Sequence, residues 1–411
     1  QKYPNLNLNT YFKAIKINQT QRINLSNPEY FSQLNTYLPT LSSNQIQHYL
    51  IALLLSEFAN KLSDNFKQPF CDYAKAIRGF NTCPETWLQI LDAQNYYLGF
   101  AIGDLYVAEY SNPETINYVN NMVASIRKSL AEYLSHSTWL SPETRDKALH
   151  KLNKMSARIG YPKPLNYEQL NIHSNIYVEN AIEARRFEVT RKWQQIGKSI
   201  DPSLWDMPPQ SINAYYSVAQ NQINIPLGIL QPPFFSIHAS AAANFGGIGV
   251  VIGHEIFHGF DDEGSQFDAE GVFKRWWTDS EWKNYQEKVK CIINQFSQYP
   301  ISNTTLHVNG KLVSGEAIAD FGGVTLALNA YQNSNYFKTD KTKGDRTPIQ
   351  QFFFQFAEIW ASSIKPAEAQ RKGLTDPHPP KEWRVNGTLK NIPEFYKAYH
   401  LPQPETQCRL F

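Results

Sequence analysis

Residues 250–261 read VVIGHEIFHGFD, and His254, Glu255 and His258 within them form the pattern H-E-x-x-H. On a helix, side chains four apart stand on one face a turn above each other, so both imidazoles can reach one metal ion. That spacing binds zinc and sets the Glu255 carboxylate beside water at the metal. The competing reading is a helix that carries two solvent-facing histidines. The flanks oppose it: Gly246, Gly247, Gly249 and Gly253 precede the motif, and Val250, Val251, Ile252, Ile256 and Phe257 predict a buried helix. Histidines on a buried helix need partners, and a metal ion is the fitting one.

Two histidines leave zinc short of a tetrahedral set, and a catalytic zinc needs a third protein ligand with one position open to water. The candidate is Glu316, in residues 315–323, which read GEAIADFGG. Asp320, one turn further on, shares a face with it and suits a carboxylate that orients a ligand histidine from behind. An E-x-x-x-D pattern alone is a common solvated helix face. Here Ala317, Ile318, Ala319 and Phe321 make the surroundings apolar, and buried carboxylates require pairing or metal.

The rest of the chain bounds the class. A length of 411 residues suits two lobes with a cleft between them. The net charge is +2 with no block of like charges, so nothing asks for nucleic acid or a lipid surface. Aromatic residues make up 14% of an ordered composition. No apolar run approaches the roughly 18 residues of a membrane span, and LIALLL, at residues 50–55, is expected to belong to a core helix. The sequence starts at Gln1 without an initiator Met, so any targeting segment is cut away or lies outside it. Four cysteines, Cys71, Cys83, Cys291 and Cys408, fit two disulfides and an oxidising compartment, with four reduced buried thiols as the alternative.

In chain order, residues 1–162 read as a partial helical lobe that covers the active-site cleft, and residues 163–411 as the catalytic domain. The clearest helix of the first part has Ser141 as cap, Pro142 at its first position, and Ala148, Leu149, Leu152, Met155 and Ile159 at helical spacing up to Gly160 and Pro162. Asn18 and Asn24 head N-x-S/T triplets that accept glycan only in a secreted eukaryotic setting. A helix over residues 177–196 leads into a proline-bearing loop. Residues 211–216 and 221–227 alternate and read as short strands, with Pro226 favouring a sheet edge to which an extended peptide can add. Thr278 with Glu281, and Thr347 with Gln350, open two amphipathic helices as capping boxes.

HEIFH and GEAIADFGG, with NAYY at residues 213–216 ahead and DPHPPKEWRVNGT at residues 376–388 behind, together resemble the neprilysin family of zinc metallopeptidases, which includes endothelin-converting enzyme and bacterial oligopeptidases. The likeness runs from about Cys71 to the end, where Cys408-Arg409-Leu410-Phe411 is similar to the family's terminus. It implies a mainly α fold with a small β-sheet, two-lobed, with a thermolysin-like zinc peptidase domain beside a helical lobe. It further implies one zinc ion on His254, His258 and Glu316, with Glu255 as general base, Asp320 holding His254, and His378 stabilising the oxyanion. Arg384 would bind a substrate carbonyl, and Asn213 with Ala214 would align the peptide. Phe234, Val250, Val251, Ile359 and Trp360 would form an apolar pocket for the residue after the cleaved bond.

The implied activity is cleavage of oligopeptides before bulky apolar residues, by an extracytoplasmic monomer whose partners are peptide substrates. The resemblance also implies the bridges Cys291–Cys408 and Cys71–Cys83. Family ectodomains are longer on the amino-terminal side, so a further segment or membrane anchor is expected there. The alternative is a zinc-containing module that binds peptide without cleaving it. Glu255 and the lack of a fourth protein ligand speak against it, since structural zinc sites are closed by four side chains.

Overall fold

The computed structural model describes residues 2–17, 25–173, 175–302 and 304–410. Both triplet asparagines, Asn18 and Asn24, and the terminal Phe411 lie outside the described residues. The protein is mainly helical with one three-stranded sheet. It forms two compact units: one of Gln1–Ala76, Phe80–Leu98 and Asn166–Asp201, the other of Ile77–Gly79, Gly99–Leu165 and Pro202–Phe411.

The first unit is a set of helices with a small core of Phe58, Ala93, Tyr97, Ala181 and Ala184. Cys71, on the helix Asp64–Arg78, bridges to Cys83. The LIALLL stretch is helical, inside Ser43–Phe58, but it is not core. Leu50 is 57% and Leu54 60% exposed, and only Phe58 of that helix is buried. The unit's small core gathers around Phe58, Ala93, Tyr97, Ala181 and Ala184, and none of residues 50–55 packs against it.

The second unit holds the large core. Its spine is the helix Pro113–His136, which buries Val119, Met122, Val123, Ile126, Leu130 and Leu134 at spacings of three and four. A side-chain bond from Ser129 Oγ to Asn329 Oδ1, 2.9 Å, ties the spine to the helix Ser314–Gln332. The three expected caps are present: Ser141 accepts from the Thr144 amide, and Thr278–Glu281 and Thr347–Gln350 are full capping boxes. Cys291, on the helix Asp279–Ser297, bridges to Cys408, so both expected disulfides are formed.

The sheet corrects three expectations. The helix that begins at Pro142 stops at Lys154, and residues 156–160 form β1 (Ser156–Gly160), so Ile159 is a strand residue and Met155 a helix cap. β1 pairs in parallel with β3 (Gln222–Pro226), and this long-range ladder overrides the local helical spacing, which β-branched Ile159 only weakly supports. The second correction concerns residues 211–216: strand β2 covers only Tyr215–Ser217, because only these three have partners on β3. The third concerns Pro226. The order is β1-β3-β2, so Pro226 lies on the central strand. It is tolerated as the last residue of β3, beyond the reach of β2, where its missing N–H costs no bond on that side.

Candidate metal centre

The motif sits at the end of one continuous helical run: a turn over Ala241–Asn244, a π-helical segment Phe245–Gly249, and the motif helix Val250–Phe257, every residue of which is buried. The helix Ser314–Gln332 crosses it closely enough for Glu316 to face both histidines. Two glycines permit that approach. A Cβ on Gly323 would stand 2.6 Å from the Val250 carbonyl oxygen, and one on Gly253 would stand 2.9 Å from Gly323 Cα. Neither separation occurs between real atoms, so the crossing requires bare backbone on both helices.

His254, His258 and Glu316 each offer a ligand atom, and these atoms lie within 4.8 Å of one another. His254 Nε2 is 3.1 Å from Glu316 Oε2, and His258 Nε2 is 3.7 Å from Glu316 Oε1. The imidazole rings stand at 86° with centroids 4.4 Å apart, so their Nε2 atoms converge without stacking.

Each ring is anchored through its other nitrogen. His254 Nδ1 bonds Asp320 Oδ1 at 2.9 Å and His258 Nδ1 bonds Asp261 Oδ2 at 2.6 Å. With a proton held on each Nδ1, each Nε2 can offer its lone pair to an ion bound beside Glu316, which is the tautomer a metal ligand needs. Asp261 is itself fixed, its Oδ1 accepting from the amides of Glu263 (2.9 Å) and Gly264 (2.7 Å). Arg384, buried on its helix Lys381–Leu389, donates from Nε to Asp320 Oδ2 at 2.7 Å and from Nη2 to Asp320 Oδ1 at 2.6 Å. Its guanidinium also covers the Trp360 ring at 4.0 Å. His378, about half exposed, reaches Glu316 Oε1 at 3.3 Å through Nε2, while its Nδ1 bonds Asp376 Oδ1 at 2.8 Å.

The electrostatics favour a cation. Burial works against a charged His254, yet Asp320 and Glu316 outweigh it and raise the imidazole to about 10. Burial likewise opposes ionised Glu316, but His254, His258 and Arg384 hold it well below the usual carboxylate range. Glu255 is 5% exposed, and burial raises its carboxyl despite both histidines and Arg384. Glu316 Oε2 is buried and has only ion-pair neighbours, His254 Nε2 at 3.1 Å and Arg384 Nη2 at 3.6 Å, with no well-formed hydrogen bond. Two imidazole nitrogens and a buried carboxylate oxygen are the donor set that zinc takes, with one tetrahedral position left over.

The centre opens into a cavity of about 610 Å³. Asn213 and Ala214 line it just ahead of β2, and so do Phe234, Val250, Val251, Trp360, His378 and Arg384. Ile359 is buried but is not part of the lining. The sequence reading missed Asp261 and Asp376, although both had a local signal. H-x-x-D places an aspartate one turn beyond His258, and D-x-H places one two residues before His378.

Two models described as peptidase family M13 match the chain, over residues 1–162 and 213–409. Neprilysin of Mus musculus is 33% identical over 417 residues, covering 97% of this chain and 55% of that protein. Endothelin-converting enzyme 1 of Bos taurus is 32% identical over 422 residues, covering 98% and 56% respectively. Among solved structures, the Mycobacterium tuberculosis zinc metalloprotease ZMP1 in complex with inhibitor superposes with a TM-score of 0.88 at 32% identity, over 93% of this chain and 60% of that one. The chain thus spans about half the length of the curated relatives it matches.

Proposed function

The chain belongs to peptidase family M13, and from that premise we propose that it is a zinc-dependent endopeptidase that hydrolyses oligopeptides on the amino side of bulky apolar residues. The observation that carries this reading is the convergence of His254, His258 and Glu316 within 4.8 Å at the wall of a cavity that Glu255 also lines.

Zinc held by those three residues would supply Lewis acidity to the scissile carbonyl and to the attacking water. The protein's own groups do the rest. Glu255, buried beside the ligands, takes the water proton and returns it to the leaving amine. His378 donates to the oxyanion as negative charge develops, with Asp376 orienting its ring. Arg384 spends Nε and Nη2 on Asp320, which leaves Nη1 for a substrate carbonyl. Asn213 and Ala214 align the peptide as an added strand beside β2. Phe234, Val250, Val251 and Trp360 supply the apolar walls that support a preference for Phe or Leu after the cleaved bond.

The two disulfides support an extracytoplasmic site of action, and no helix among the described residues is long and apolar enough to cross a membrane. The test is turnover of a short quenched peptide with Phe or Leu after the scissile bond. Activity should vanish on chelation and return with zinc. Glu255→Gln should lower kcat by about 10²- to 10⁴-fold while zinc content per chain stays at the parent level. Zinc-dependent peptide binding without any cleavage by the parent chain would overturn the reading.

A further inference from the structure

Lys151 is an anomaly. It lies on the helix Pro142–Lys154, remote in sequence from the motif, and is 1% exposed. Lysine is almost never fully buried unless its charge is paired, and desolvating an ammonium is costly. Among the described residues its Nζ meets no carboxylate directly. It donates instead to two backbone carbonyls, Gly264 O at 2.6 Å and Phe267 O at 2.8 Å, and stands 5.6 Å over the Phe260 ring. Burial pushes the ammonium down to about 7, against the pull of Asp261 and Asp268.

Those carbonyls belong to the loop that follows the motif helix and carries Asp261. Other donors hold the same loop: Tyr285 Oη on Phe260 O, Trp277 Nε1 on Ser265 O, and Trp276 Nε1 on Phe267 O. Gly264 links the two ends of the device. Its carbonyl accepts from Lys151, while its amide donates to Asp261, whose second oxygen holds His258. Lys151 and the Asp261 carboxylate thus hold the two adjacent peptide groups that meet at Gly264, one through its carbonyl and the other through its amide. Asn221 ties the helix to the same region, bonding Lys151 O at 2.9 Å and Ala269 O at 3.1 Å.

We propose that Lys151 is a positioning residue of the metal centre, fixing the loop at residues 260–268 so that Asp261 holds the His258 imidazole toward the ion. The proposal rests on the zinc reading above. A lysine that merely filled the core would affect stability alone. One that acts through Asp261 affects zinc affinity, and only while Asp261 is present.

The experiment is a double-mutant cycle on the full chain, with zinc affinity measured by chelator competition and folding of the metal-free forms followed by near-ultraviolet circular dichroism. Lys151→Met, which keeps the length and removes the donors, should weaken zinc binding about tenfold in the parent. In an Asp261→Ala background the same substitution should change affinity less than about twofold. Equal losses in the two backgrounds, or unchanged affinity beside a lower melting temperature, would overturn the proposal. Should Lys151→Met not fold, Lys151→Leu, which likewise removes the donors, carries the same cycle to the same two outcomes. Failure of the parent to bind zinc would overturn the zinc reading itself and the proposal with it.

Discussion

Asp320 joins the ligand His254 to the buried Arg384. One of its oxygens serves His254 and Arg384 together, the other serves Arg384, and the group is 1% exposed. Asp320→Asn preserves shape but leaves the Arg384 guanidinium buried beside a neutral amide. Breaking one side of a buried ion pair costs roughly 3–5 kcal/mol, so the metal-free variant should unfold at distinctly lower denaturant, and its zinc affinity should drop about 10- to 100-fold. Urea titration with and without metal separates the two effects. His254, Glu255 and His258 were legible together because H-E-x-x-H is a local pattern, whereas Glu316 was picked out by the need for a third ligand, its apolar neighbours and the resemblance of residues 315–323. Asp261 went unread although H-x-x-D marks it, and Lys151 had no signal at all: a lysine announces nothing until burial removes the water that would otherwise solvate it.

At the scale of elements, the site depends on how closely the motif helix and the helix Ser314–Gln332 cross. Gly323→Ala puts a methyl group 2.6 Å from the Val250 carbonyl oxygen and 2.9 Å from the His254 amide nitrogen. Overpacking of this kind costs about 1–3 kcal/mol, and here the relief is outward movement of the helix bearing Glu316. The variant should melt earlier and bind zinc more weakly, whereas a surface Gly344→Ala control should keep parent zinc affinity.

Glu281 supports a second element-level device. It accepts from the Ser141 amide at 2.6 Å and Thr144 Oγ1 at 2.7 Å while closing the capping box on Thr278, so one carboxylate serves two helix starts. Burial raises its carboxyl, but the bonds from Thr278, Ser141 and Thr144 outweigh this and bring it from 4.5 to about 2. A depressed folded value means the contribution is fully present above the unfolded value and is lost as pH falls toward the folded one. Glu281→Gln should therefore cost about 1–3 kcal/mol at neutral pH. The gap between parent and variant should narrow as pH drops from 5 toward 2, as thermal melts across that range will record.

For the whole molecule, the Cys291–Cys408 bridge joins residues 117 apart in sequence and ties the chain's end to the helix Asp279–Ser297. Closing so long a loop restricts the unfolded chain by roughly 2–5 kcal/mol. The double variant Cys291→Ser/Cys408→Ser should lose that amount in chemical denaturation, with zinc content per chain unchanged in the folded state. The caps at Ser141, Thr278 and Thr347 and the motif helix were set by the sequence alone, because helix starts and i, i+4 faces depend on residues within one turn. Tertiary structure alone decided that residues 156–160 leave a helical pattern to form β1, that Pro226 ends a central strand, and that LIALLL stays exposed. It also decided which carboxylate stands behind each histidine. Those outcomes depend on partners distant in sequence, whose ladder bonds and exclusion of water act only once the chain has brought them together.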